Sequence, residues 1–131
     1  MWKVLVAEDD IENRRIVLDA LKNIAECVTA TTGKEALELY QKSRKTKTPF
    51  DFALLDVTMP EMDGFEVLKA IRQEEEKSFH RKRETMVIMI TAYRDSLMEK
   101  YNMGWDDFIT KPVESSLLIN HMKNLLLSRS S

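Results

Sequence analysis

Asp56 closes the apolar run Phe52-Ala53-Leu54-Leu55 and opens the turn Val57-Thr58-Met59-Pro60-Glu61-Met62-Asp63-Gly64. A carboxylate at such a boundary is placed for chemistry, because an open parallel sheet binds its ligands beyond the carboxyl ends of its strands. Other runs have the same form. Val4-Leu5-Val6-Ala7 leads into Glu8-Asp9-Asp10, and Phe108-Ile109-Thr110 leads into Lys111-Pro112. Met86 to Ile90 leads into Thr91. Three converging acids, Glu8, Asp9 and Asp56, repel one another and raise each other's pKa. A divalent cation removes that penalty, and oxygen donors that leave room for water suit Mg²⁺ better than zinc. His80 and His121 are isolated and form no zinc motif. Asp56 can then be a metal ligand, or a nucleophile toward phosphorus, since carboxylates form aspartyl phosphates. Thr91 and Lys111 favour the nucleophile. A cation site needs neither, whereas a phosphoryl group on Asp56 needs a hydroxyl donor and a cation for its oxygens.

The elements that must position these groups alternate along the chain. Strands are expected at Lys3–Ala7, Cys27–Ala30, Phe52–Leu55, Met86–Ile90 and Phe108–Thr110. Amphipathic helices are expected between them. The first spans about Ile11–Ile24, with Ile16, Val17, Ala20, Leu21 and Ile24 on one face. The second starts after the cap Thr32, with Ala36, Leu37 and Tyr40 inward. The third runs from Met62 to about Glu75, and a short fourth from Ser96 to Met103, ended by Gly104. A closing helix covers Glu114–Leu127 and buries Leu117, Leu118, Met122 and Leu125. Five strands alternating with five helices predict a doubly wound α/β fold with a parallel sheet. Adjacent, central positions for the two acid-bearing strands favour the order 2-1-3-4-5. Asp10 and Asp63 are read as helix caps or turn residues rather than ligands. Met98, Tyr101, Met103 and Trp105 suit a core or an exposed partner surface equally.

At 131 residues the chain is expected to be one domain, residues 1–131, with no second domain or tail. Charge is nearly balanced, 20 basic against 22 acidic residues, so no global field draws nucleic acid or an anionic membrane. The cluster His80-Arg81-Lys82-Arg83 is read as a solvated loop. No apolar run approaches the roughly 20 residues of a membrane span. One cysteine, Cys27, makes no internal disulfide, and an intracellular, cytoplasmic chain with a buried, inert thiol is expected. Pro112 is a candidate for a cis peptide that aims Lys111.

The acidic pair Glu8-Asp9, the Asp56 run through Met59-Pro60-Glu61-Met62-Asp63-Gly64, Thr91-Ala92 and Lys111-Pro112 stand in an order and spacing that resemble the receiver domain of two-component response regulators. The resemblance runs from Lys3 to about Leu127. It implies a flavodoxin-like fold and a phosphorylation-activated switch close to stand-alone chemotaxis regulators. Such a domain is not a conventional enzyme: it catalyses its own phosphorylation and a slow autodephosphorylation. Asp56 would accept phosphate from a histidine kinase or phosphotransfer protein. Asp9 would bind Mg²⁺ directly, Glu8 through water, and the backbone carbonyl of Thr58 would be a further ligand beside Asp56. Thr91 and Lys111 would contact the phosphoryl oxygens, and Phe108 would be the aromatic switch residue. Thr58 and Tyr93, two residues beyond Asp56 and Thr91, would tune phosphate lifetime. Kinase docking would use Asn13, Arg14 and Val17 with Pro112 and Val113. Output would pass through the surface of the predicted fourth helix, fifth strand and closing helix to a downstream protein, without direct contact to nucleic acid.

The chain departs from the family in detail. Phe108 lacks the hydroxyl of the tyrosine frequent there, Trp105 stands where a small residue is usual, and the Thr91–Lys111 interval is slightly short. Two other functions fit the residues. One is a Mg²⁺-dependent phosphatase working through an aspartyl phosphate, which needs a second acid and a substrate cap. The other is a pseudo-receiver that only binds proteins, which leaves the acids and Lys111 without purpose.

Overall fold

A computed structural model describes residues 1–77, 85–92 and 104–130. Five strands, β1 (Trp2–Ala7), β2 (Ala25–Ala30), β3 (Phe52–Asp56), β4 (Met86–Thr91) and β5 (Asp107–Thr110), form one sheet. The helices among the described residues are α1 (Ile11–Leu21), α2 (Gly33–Arg44), α3 (Gly64–Glu76) and α4 (Ser115–Ser130). The expected short helix at 96–103 lies outside the described residues. The strand order is β2-β1-β3-β4-β5 and all neighbours are parallel, as expected.

The central strands β3 and β4 are buried along their whole length and read as nearly continuous apolar runs because helices cover both faces. Side chains alternate between the two layers. Leu5, Ala7, Ala53, Leu55, Val87 and Met89 join Ala36 and Tyr40 of α2 and Val67, Leu68 and Ile71 of α3. Val4, Val6, Phe52, Leu54, Ile88 and Ile90 join Val17 and Leu21 of α1 and Leu118 and Met122 of α4.

Boundaries differ where tertiary pairing or capping decides. Thr32 caps α2 through Glu35 N–H, and Asp10 caps α1 through Asn13 N–H, as expected. The third helix starts at Gly64 rather than Met62. Asp63 makes a reciprocal capping box with Glu66, which fixes the first turn. The first helix ends at Leu21 rather than Ile24, because Ala25 must pair with Trp2 at the start of the sheet. Leu117 faces outward, 44% exposed, against the expectation that it is buried; Leu118 and Met122 fill that layer. Trp105 belongs to the core, its ring 6.2 Å from Phe65 and 6.3 Å from Phe108.

Candidate functional site

Parallel register brings the ends of β1 and β3 side by side, Ala7 opposite Leu55, and sets Asp56 opposite Ile90 of β4. Glu8 and Asp9 follow Ala7 directly, so both acids arrive beside Asp56. One carboxylate oxygen from each of Glu8, Asp9 and Asp56 lies within 4.8 Å of the others. Glu8 is fully buried and Asp56 nearly so, while Asp9 faces solvent.

The fifth strand delivers the cation. Lys111 follows Thr110 and its amide donates to Thr91 O at 2.7 Å, which fixes the strand end. Its Nζ reaches across β4, donating to Asp56 Oδ2 at 2.9 Å and lying 3.2 Å from Glu8 Oε1. The Glu8 contact is an ion pair without hydrogen-bond geometry. Both Glu8 carboxylate oxygens are buried with no hydrogen-bond partner among the described residues. Burial and the neighbouring Asp56 carboxylate push the Glu8 pKa up to about 8, against the pull of Lys111. Burial alone would lower the Lys111 pKa, but Asp56 and Glu8 outweigh it and hold the ammonium charged. The Lys111–Pro112 peptide is cis.

The loop after β3 closes the site from the other side. Thr58 N–H donates to Asp56 Oδ1 at 3.1 Å. Val57 N–H is held by Ile90 O at 2.9 Å, and Gly64 N–H by Val57 O at 2.9 Å. A Cβ at Gly64 would stand 2.3 Å from Asp56 O, so only glycine lets α3 start this close to the acceptor strand. Asp9, Asp56, Thr58, Lys111 and the first residues of α1 line an open cavity of ≈ 660 Å³.

The remaining sequence candidates fall as follows. Thr91 ends β4 one residue beyond the partner of Asp56, buried and outside the open cavity lining. Phe108 lies half-buried on β5, edge-on to Trp105. Tyr93 lies outside the described residues, as do Met98, Tyr101, Met103 and the basic cluster His80-Arg81-Lys82-Arg83. Of the expected docking residues, Val17 and Val113 are buried and present no surface; Ile11, 62% exposed, stands at the cavity mouth instead. Cys27 is partly buried, and burial pushes its thiol pKa up.

Some contributors escaped the sequence. Arg14 donates to the Glu8 carbonyl at 3.0 Å and ties α1 to the acidic turn. Arg72 gathers Glu75 Oε1 at 2.7 Å, Asp106 Oδ2 at 2.9 Å and the carbonyls of Gly104 and Thr85. The i, i+3 spacing of Arg72 and Glu75 was the available signal. His121 of α4 pairs with Asp107 of β5.

Buried Glu8 oxygens without a hydrogen bond, in an all-oxygen acidic cluster with the Lys111 ammonium beside it, fit a divalent metal and a phosphoryl group together. The response regulator receiver domain model matches residues 4–123. The chain belongs to the response regulator receiver domain family. Receiver domains are the phosphoacceptors of two-component signalling. This receiver is 33% identical over 127 residues to a probable transcriptional regulator, ycf27, of Cyanophora paradoxa, covering 95% of this chain and 48% of that protein. It is 33% identical over 123 residues to hybrid signal transduction histidine kinase I of Dictyostelium discoideum, covering 88% of this chain and 7% of that protein. The chain thus spans about half, or far less, of these curated relatives. Among solved structures, Vibrio cholerae chemotaxis protein CheY4 superposes with a TM-score of 0.79 at 31% identity, over 95% of this chain and 98% of that one. Among the described residues, no helix of this receiver is long and apolar enough to cross a membrane.

Proposed function

We propose that Asp56 accepts a phosphoryl group from the phosphohistidine of a histidine kinase or phosphotransfer protein, and that the acyl phosphate switches a protein-binding surface. A carboxylate oxygen of Asp56 attacks phosphorus in line; the P–O bond forms as the P–N bond to the donor histidine breaks, and the imidazole leaves. The observation that carries this reading is the 2.9 Å contact of Lys111 Nζ with Asp56 Oδ2, beside two further acids at the same sheet edge. A lysine so placed is free to move from the carboxylate to a phosphoryl oxygen.

Asp9, Asp56 and the Thr58 carbonyl would hold Mg²⁺, with Glu8 behind them through water. Bound there, the ion neutralises charge on the phosphoryl oxygens. Thr58 N–H orients Asp56 through Oδ1. Thr91, at the end of β4, would donate its hydroxyl to the phosphoryl group, whose charge is about −1.5 to −2. Its displacement opens space for Phe108, and the surface of β5 and α4 changes shape. A downstream protein reads that surface. Thr58 and Tyr93 set how easily water reaches the phosphate, so Tyr93→Ala shortens the phosphorylated lifetime; an unchanged lifetime removes Tyr93 from this role.

The test is intact mass after incubation with Mg²⁺ and a small acyl-phosphate donor, for wild type and Asp56→Asn. Gain of one phosphoryl group in wild type alone supports the assignment. Equal gain in Asp56→Asn refutes it, and multiple turnover on a phosphate ester supports a phosphatase instead.

A further inference from the structure

We propose that Gly33 is a positioning residue for the acceptor loop, although α2 contributes no side chain to the cavity. The inference rests on the reading of Asp56 and the Thr58 carbonyl as Mg²⁺ ligands and deepens it. Thr32 caps α2, and the next residue, Gly33, meets the loop backbone to backbone. Its N–H donates to Pro60 O at 3.3 Å. A Cβ at residue 33 would stand 1.9 Å from Met62 O and 2.5 Å from Met62 Cβ. Neither atom is the loose end of a side chain, so the loop itself must yield to any larger residue.

That loop has no slack to absorb a shift. Val57 and Gly64 are pinned at its two ends by the hydrogen bonds to Ile90 O and Val57 O. Met62 N–H folds back onto Pro60 O at 2.8 Å, and Glu61 between them is left-handed, with φ 68°. A displacement of residues 60–62 is therefore passed upstream to Thr58. Thr58 lines the cavity and fixes Asp56 Oδ1 through its amide. Gly33 thus sets the distance between the Thr58 backbone and the acceptor carboxylate from outside the site. Supporting groups of this kind typically change metal affinity by about tenfold or more.

The test is calorimetric titration of Mg²⁺ into the full chain, for wild type, Asp9→Asn, Gly33→Ala and Gly104→Ala, with metal-free urea unfolding of each. Gly104→Ala is the control. It places a Cβ at φ +107° on Arg72, away from the cavity, so it loses stability through backbone strain alone. Gly33→Ala is expected to bind Mg²⁺ about tenfold more weakly, while Gly104→Ala keeps the wild-type dissociation constant. A folded Gly33→Ala with wild-type affinity overturns the proposal. So does a Gly104→Ala chain that loses affinity equally, since the loss then follows instability. Should Gly33→Ala fail to fold, Pro60→Gly keeps the carbonyl that Gly33 N–H meets but frees the loop backbone around it, and wild-type Mg²⁺ affinity in that variant is equally fatal. No Mg²⁺ binding by wild type fails the reading of the site itself, and the positioning role with it; loss in Asp9→Asn alone fails only the positioning role.

Discussion

Lys111 Nζ and Asp56 Oδ2 meet at 2.9 Å although they come from strands separated by β4. The contact exists because β5 ends level with β4, Thr110 opposite Thr91, and the next side chain must lean back over the sheet edge. The ammonium is therefore held against the carboxylate, where the proposed phosphoryl group would also meet it. Lys111→Met is expected to slow Asp56 phosphorylation by a small acyl phosphate about a hundredfold, the usual cost of removing one transition-state donor. Quenched-flow mass measurements read the rate; a rate within a factor of about two of wild type removes Lys111 from the chemistry.

Glu8 makes the metal-free chain sensitive to pH. Its folded pKa is about 8, above the unfolded value of 4.5. A raised carboxylate binds its proton more tightly when folded, so its stabilisation is full below pH 4.5 and lost as pH rises through about 8. Without metal, wild type should lose stability relative to Glu8→Gln across that window. Urea midpoints for the two proteins at both ends of the window decide the matter, and parallel midpoints contradict the burial argument.

Mg²⁺ should reverse this loss. A ligand that binds only the folded state at a hundred times its dissociation constant adds about 2.7 kcal/mol. For a chain of this size that corresponds to a melting-temperature rise on the order of 10 °C. Asp9→Ala should abolish the rise while leaving the metal-free melting point little changed, because Asp9 is exposed. A persistent Mg²⁺ response in Asp9→Ala would show that the ion binds elsewhere.

Arg72 is expected to matter for stability rather than phosphorylation. Its side chain is 20% exposed and that of its partner Glu75 only 5%, at 2.7 Å. Removing one member strands a buried charge, so Arg72→Met should cost about 3 kcal/mol. Arg72→Met with Glu75→Gln should recover part of that. Denaturant unfolding of the single and double variants tests the coupling, and simple additivity contradicts it.

Glu61 holds a left-handed conformation, φ 68°, that costs a non-glycine residue about 1 kcal/mol. Glu61→Gly should raise the urea midpoint by a corresponding amount if the relief exceeds glycine's added unfolded-state entropy. A lowered midpoint means that the entropy term wins.

The strand ends were legible because position at a sheet edge follows from local pattern alone. Apolar runs broken by Asp56, Glu8-Asp9 and Lys111 needed only parallel pairing to converge, and pairing followed from alternation of strands and helices. Glu75 was not legible. In the acidic run Glu74-Glu75-Glu76 it looks solvated, yet it is buried because Arg72 and Thr85 N–H saturate its oxygens. Leu117 shows the limit of helical periodicity, which gives the apolar stripe but not which edge of it a neighbouring element covers. The approach of Gly33 to Met62 leaves no hydropathy signal, since backbone meets backbone.

The packing of Trp105 between Phe65 and Phe108 has an optical consequence. The chain has two tryptophans. The other, Trp2, packs at a tilt against Phe52 with ring centroids 5.2 Å apart, at the opposite end of the strands. One indole thus adjoins the aromatic residue of β5 and the other is remote from it. The molecule carries its own emission probe beside the proposed switch residue Phe108 and an internal standard in the same spectrum, so a Trp2→Phe variant isolates the light from Trp105 without any attached dye.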